Sequence, residues 1–243
     1  MPSNDKLLSQ PSVIVFGASG AIGSTLVASF DRNRYTVLAG TRNLVQADQS
    51  SSIRTFQFNA GCPEDGLVGL EPESINAVVW AQGANLSDSI YSLDIDAHLA
   101  MYEANVTFIL LSLQALLSKK LLAPSARLCI ISSIWQNIAK QNKLSYCITK
   151  SALQGLVQSL EIDLGASGIL VNAVLPGALD TPMTRTNLDA LQIKQLEKAS
   201  PLGTLATLED VTNLVEFLCS EKNTGITGQF ITADRGFSYA RII

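Results

Sequence analysis

Ser12-Val13-Ile14-Val15-Phe16-Gly17-Ala18-Ser19-Gly20-Ala21-Ile22-Gly23 is the stretch that decides the fold of this chain. After Ser12 its next four residues are apolar without interruption, as in a strand buried on both faces. Glycines follow at once, at 17, 20 and 23. A strand passed through such a turn into a helix can cradle a pyrophosphate. Small residues let the backbone come close, and the helix start offers unpaired N–H groups and the positive end of its dipole. Gly17, Ser19, Ala21, Ile22 and Gly23 are the candidate phosphate contacts. Glycines also make tight turns for steric reasons alone, so the reading depends on the rest of the chain.

Further short apolar runs lie at 35–39, 53–58, 77–81, 127–131, 169–174 and 229–232, and helical patterns cover 95–122 and 144–164. Strands that are apolar throughout, separated by helices, form a parallel sheet covered on both faces. The expected fold class is α/β, a single Rossmann-type doubly wound domain over residues 1–243 with about seven parallel strands. Its cofactor half is about 12–125 and its catalytic and substrate half about 126–243. Residues 59–74 hold Gly61, Pro63, Gly66, Gly69 and Pro72, so the crossover helix there is short or absent.

Of 243 residues 47% are hydrophobic and only 16% charged, with a net charge of −4 and no basic run to follow a phosphate backbone, which argues against nucleic acid. Residues 1–10 lack the apolar core of a secretory signal, and the oily run 106–117 is broken by Ser112 and Gln114 and too short to cross a bilayer. A cytoplasmic protein with no membrane contact is expected. Cys62, Cys129, Cys147 and Cys219 are scattered and there is one histidine, which reads as reduced thiols and no metal site.

After the second strand comes Gly40-Thr41-Arg42-Asn43, with no acid before Asp48. An acid there would bond the 2′-hydroxyl of NAD, whereas an arginine can hold a 2′-phosphate, so Thr41 and Arg42 favour NADP(H) over NAD(H). A solvated loop arginine is the plainer alternative.

In Ser145-Tyr146-Cys147-Ile148-Thr149-Lys150, Tyr146 and Lys150 stand one helical turn apart on one face. Tyrosine ordinarily titrates near ~10. A cation about 5 Å away at an effective dielectric of about 20 favours the phenolate by roughly 3 kcal/mol, or about two pKa units. Such a tyrosine works near neutral pH. A half-buried ring beside a solvated lysine has the same spacing.

Taken together, these residues resemble the short-chain dehydrogenase/reductase family in its compact, single-domain form. The family's Tyr-x-x-x-Lys is Tyr146 and Lys150, its upstream serine matches Ser133 thirteen residues earlier, and its helix asparagine matches Asn105. Its Pro-Gly segment matches Pro176-Gly177 with Thr181 following, and the last strand and turn match residues 228–238. The resemblance runs from about Ser12 to Ser238.

It implies hydride exchange between a nicotinamide and a carbonyl or alcohol. Tyr146 would donate the proton and Ser133 orient the oxygen. Lys150 would lower the tyrosine pKa and bind the nicotinamide ribose, and Asn105 would hold a water that resupplies the proton. Pro176, Gly177 and Thr181 would contact the nicotinamide, while Asn59 and Gly83 complete the cofactor set. The chain also departs from the family. Phe16 replaces a threonine and Ala21 a glycine, Trp80-Ala81-Gln82-Gly83 replaces Asn-Asn-Ala-Gly, and Asn59 stands for an acid.

Substrate choice is expected in the loops 85–91, 134–143 and 178–208. Trp135 and Gln136 are candidate substrate contacts; Trp135 either narrows the pocket or packs under its loop. Leu188, Leu191, Ile193 and Leu196 at helical spacing make either a closing lid or a docked helix. His98 is read as structural and far from the motif. The favoured function is an NADPH-dependent reductase of a ketone, aldehyde or 3-oxo compound. The alternatives are an alcohol or sugar dehydrogenase working in the oxidising direction and a non-catalytic NADP-binding sensor or scaffold. The partner is a small molecule, and the family suggests a homotetramer or homodimer.

Overall fold

A computed structural model describes residues 10–42, 52–58, 65–181, 184–185 and 188–240. Asn43, Asp48, Asn59 and Cys62 lie outside the described residues, so the expectations placed on them go no further here.

Seven strands, β1 (Ser12–Phe16), β2 (Thr36–Thr41), β3 (Ile53–Gln57), β4 (Ile75–Trp80), β5 (Leu122–Ile131), β6 (Leu170–Pro176) and β7 (Phe230–Ala233), form one parallel sheet in the order β3-β2-β1-β4-β5-β6-β7. The order reverses between β1 and β4, which opens a crevice at their carboxyl ends.

Alternation along β1 explains the two-sided cover. Val13 and Val15 face α1 (Ala21–Arg32) and α6 (Leu208–Cys219), packing with Leu26, Phe30, Val211 and Val215. Ile14 and Phe16 face the opposite layer. There α2 (Ile95–Tyr102), α3 (Phe108–Ser118) and α4 (Leu144–Gly165) bury Ile109, Leu113, Leu116, Leu153 and Val157. A further helix, α5 (Ala190–Ala199), lies beyond β6.

Two elements differ from the sequence expectation. Strand β5 begins five residues early, at Leu122, because Ile75 pairs with Leu122 but Ala77 with Arg127. The surplus residues bulge out, with Ser125 at φ 60°, and so read as a loop. The helix expected over 95–122 is interrupted by a π turn at Glu103–Thr107. As one continuous run Ile95–Ser118 is long and apolar enough to cross a membrane, yet in this fold it buries Val106, Ile109, Leu113 and Leu116 against the sheet. Between β3 and β4 the described residues hold only a single 3-10 turn, Asp65–Leu67.

Candidate active site

The turn after β1 sits in the crevice. Gly17, at φ 78°, donates its N–H to the Gly40 carbonyl across 3.0 Å, which fixes the turn against β2. No larger residue fits there, because a Cβ on Gly17 would come 2.5 Å from Gln82 N. A Cβ on Gly23 would come 2.1 Å from Gly17 O, so this glycine lets α1 close onto the turn. Gly20 caps α1 with no side-chain bond and the first turn carries no acid, which leaves the leading N–H groups for an anion. Ala21 is exposed, so its methyl costs the turn nothing. These features fit a pyrophosphate.

Thr41 is buried at the end of β2, and Arg42 beyond it lines a cavity of about 390 Å³ with Gln57, Phe58, Ala100, Glu103 and Phe108. Gln57 Nε2 donates to the Arg42 carbonyl at 2.9 Å and so holds the arginine's backbone in place.

The departures at Phe16 and Trp80 prove to be one matched change. Their rings stack at 6.0 Å with 21° between planes, Phe58 and Phe108 meet Phe16 edge-on, and Trp80 Nε1 donates to Ser112 Oγ at 2.8 Å. An aromatic core stands where the family keeps hydroxyl and amide groups.

Ser133, Tyr146 and Lys150 come together at the ends of β5 and α4. Ser133 is extended at φ −167°, caps the 3-10 turn Ile134–Gln136 by accepting from Trp135 N at 3.3 Å, and has its hydroxyl close enough to Tyr146 to favour the phenolate. Lys150 is 4% exposed, lies 5.7 Å from the Tyr146 ring centroid, and donates to the Ile131 carbonyl at 3.0 Å. Burial lowers the Lys150 pKa to about 8. Burial also pushes the Tyr146 phenol above its ordinary value, and the neighbouring Ser133 hydroxyl offsets this only in part. This corrects the expectation that Lys150 sets the phenol below its usual range. Desolvation of the neutral-to-charged change is the larger effect here.

Asn105, 1% exposed in the π turn, is committed at both ends. Oδ1 accepts from Ala84 N at 2.7 Å, while Nδ2 donates to Ala84 O at 3.1 Å and Thr149 Oγ1 at 3.0 Å. Thr149 Oγ1 donates in turn to the Tyr146 carbonyl at 3.0 Å. The side chain therefore ties the loop after β4 to the helix of Tyr146. Gly83 keeps this corner open: a Cβ there would stand 3.1 Å from Asn105 Oδ1 and 3.8 Å from Lys150 Nζ.

His98 was expected far from the motif, and the structure corrects this. Its Nδ1 lies 2.8 Å from Ser145 Oγ, next to Tyr146 in sequence. Ser145 Oγ also donates to Asp88, and Ser145 N donates to Asp88 Oδ1 at 3.0 Å. Asp88 is thus a buried carboxylate at the N-terminus of α4, where a negative charge is favoured. Lys143 Nζ stitches the same corner by donating to Asn85 Oδ1 at 2.8 Å and to Leu86 O and Ser87 Oγ, each at 3.1 Å. The sequence reading missed Asp88, Ser145 and Thr149, whose partners lie tens of residues away.

The nicotinamide-side candidates are at the end of β6. Pro176 pairs with Ala233, and Gly177 N donates to Ala233 O at 3.1 Å. Thr181 is 8% exposed, with its Oγ1 3.0 Å from Thr184 Oγ1. In the loop after β5, Gln136 turns inward: it is 6% exposed, Oε1 accepts from Ser132 Oγ at 2.7 Å, and its carbonyl accepts from Ser151 Oγ at 2.9 Å. That corrects the substrate contact expected of Gln136, whose carboxamide braces the loop. Trp135 meets Phe237 edge-on at 6.4 Å, with Lys140 Nζ 5.7 Å from its ring, so it packs under the loop. In α5 Leu191 is exposed while Ile193 and Leu196 are half-buried, as is Leu188 just before the helix.

A glycine turn at the switch point of a parallel sheet, beside a half-buried tyrosine and a buried lysine, defines a nucleotide-dependent oxidoreductase site. The family described as Enoyl-(Acyl carrier protein) reductase matches residues 73–238. The chain is 35% identical to a 3-oxoacyl-(acyl-carrier-protein) reductase of Aquifex aeolicus over 234 residues, 96% of this chain and 90% of that protein. It is 30% identical to a cis-4-hydroxycyclohexanecarboxylate dehydrogenase of Sinomonas cyclohexanicum over 238 residues, 93% of this chain and 95% of that one. A gluconate 5-dehydrogenase of Burkholderia cenocepacia, solved with NADP and tartrate, shares the fold at a TM-score of 0.87 and 19% identity, over 96% of this chain and 97% of that one. The chain belongs to the short-chain dehydrogenase/reductase family and is an NAD(P)-dependent oxidoreductase.

Proposed function

We propose that the chain reduces the carbonyl of a small ketone, aldehyde or 3-oxo compound with NADPH, Tyr146 donating the proton. The observation that carries this reading is the meeting of Ser133, Tyr146 and Lys150 in one corner of the crevice. When bound, the cofactor supplies the hydride, and the protein manages one proton. Ser133 and Tyr146 would both reach the carbonyl oxygen and stabilise the negative charge that develops on it. Lys150 would hold the nicotinamide ribose, and Asn105, through Thr149, would hold the helix of Tyr146 in register.

Arg42 on the adenosine-side cavity supports NADPH, as do the missing acid after β2 and the NADP bound to the Burkholderia cenocepacia relative. Exposed Ile95, Leu99, Tyr102 and Leu110 on α2 and α3, with Ile148 and Ile162 on α4, supply an apolar surface for a homodimer or homotetramer. A screen of NADPH and NADH consumption over ketones, aldehydes, quinones and 3-oxoacyl thioesters tests the reading. Turnover of at least one carbonyl, faster with NADPH, is expected; oxidation of alcohols alone with NADP or NAD would replace it with the dehydrogenase reading.

The Aquifex aeolicus relative favours a second reading, a carrier-bound 3-oxoacyl substrate. Against it, Arg127, a lone basic residue near β6, is spent on the Asn223 and Ser125 carbonyls. Equal rates with a carrier-bound and a free thioester would argue against carrier recognition.

A further inference from the structure

The cofactor crevice contains one polar group that the resemblance does not explain. Both Gln82 Nε2 and Gln82 Oε1 are closed off from solvent with no hydrogen-bond partner; among the described residues Ser238 Oγ alone shares that condition. Buried amides in folded proteins are almost always paired, so a doubly unpaired one calls for a ligand. Its position says which kind. The Gln82 main chain packs directly on Gly17, where a Cβ would come 2.5 Å from Gln82 N. The next residue, Gly83, borders Asn105 Oδ1 and Lys150 Nζ. Gln82 therefore stands between the phosphate turn and the corner of Tyr146 and Lys150.

We propose that Gln82 is a cofactor-binding residue particular to this chain, its carboxamide turning to the diol of the nicotinamide ribose; this rests on the reading of the crevice as a dinucleotide site. A carboxamide has donors and an acceptor to fill, and here both ends are empty. A phosphate only accepts and would satisfy Nε2 alone, whereas a vicinal diol donates and accepts. The reacting nicotinamide must lie at Tyr146, so its ribose is the sugar nearest Gln82 and Lys150. That ribose carries an intact diol in both NADP and NAD, whereas the adenosine ribose of NADP has lost one hydroxyl to phosphate. The amide has no hydrogen bond to break when it turns.

The test is calorimetric titration of wild type, Gln82→Ala and the isosteric Gln82→Met with NADP, NAD and adenosine 2′,5′-bisphosphate, alongside the Tm of each ligand-free protein. Both variants are expected to bind NADP and NAD about tenfold more weakly. Their affinity for the bisphosphate, which lacks the nicotinamide ribose, should stay at the wild-type level, and their Tm should be equal or higher. Unchanged NADP and NAD affinity would overturn the proposal, as would a parallel loss for the bisphosphate together with a lowered Tm, the mark of a structural role. If wild type bound neither dinucleotide, the cofactor reading would fall first and this inference with it.

Discussion

The Lys150 ammonium donates to the carbonyl of Ile131 across 3.0 Å, so the buried cation is anchored to the end of β5 two residues before Ser133. A neutral carbonyl only partly replaces the water lost on burial, which is why the lysine titrates near 8.

From this follows a pH dependence. The folded pKa of about 8 lies below the unfolded value of about 10.4, so across that window the native state binds fewer protons than the unfolded chain. The cost of the buried cation is full below about pH 8, and the stability contributed by this residue rises with pH between about 8 and about 10.4. Cofactor affinity runs the other way. If Lys150 binds the nicotinamide ribose as a cation, the Kd for NADPH should climb as pH passes about 8, and Lys150→Met should flatten the profile. Fluorescence titration across pH checks both; a wild-type Kd that does not change with pH would count against the assigned contact.

Arg42 offers a separable test, since it sits at the adenosine end of the crevice. Arg42→Ala is expected to weaken NADPH binding about 10- to 100-fold by removing a charge-assisted contact to the 2′-phosphate, with NADH affected less than about twofold. Steady-state kinetics with each cofactor measure this. Equal losses for the two would point to a general structural fault.

Asp88 should matter to the site without touching substrate. It accepts from both Ser145 N and Ser145 Oγ, and thereby fixes the first turn of the helix that carries Tyr146. Asp88→Ala is expected to cost about 2–3 kcal/mol, seen as a Tm lower by about 4–12 °C, and to lower kcat more than it raises the KM for NADPH. His98→Ala removes only the outer bond to Ser145, and less than about 1 kcal/mol is expected. Thermal melts and initial rates on the two variants distinguish an anchor at Asp88 from a passive surface acid.

What the sequence made legible was local. The apolar run at 12–16 and its glycines placed β1 and the turn, and the Tyr146 to Lys150 interval placed both on one face of α4, because strand alternation and helical spacing act over a few residues. What stayed hidden depends on contacts between distant residues. Trp80 looked like a lost amide until its ring was found stacked on Phe16 and bonded to Ser112, 32 residues on. His98 looked remote from Ser145, 47 residues away in sequence and in contact through the packing of α2 on α4. The sign of the Tyr146 shift was misjudged for a related reason: spacing reveals the lysine nearby, while the desolvation that outweighs it comes from the whole fold. The π turn that carries Asn105 leaves no trace in the helical spacing of the apolar residues on either side of it.

The central claim is that Tyr146 supplies the proton. Its most direct test is the turnover of a carbonyl found in the NADPH screen by Tyr146→Phe, with NADPH binding measured on the same protein. The expected result is a loss of about 10²- to 10⁴-fold in kcat, with the Kd for NADPH within about threefold of wild type. A Tyr146→Phe enzyme that binds NADPH and turns over at the wild-type rate would contradict the account.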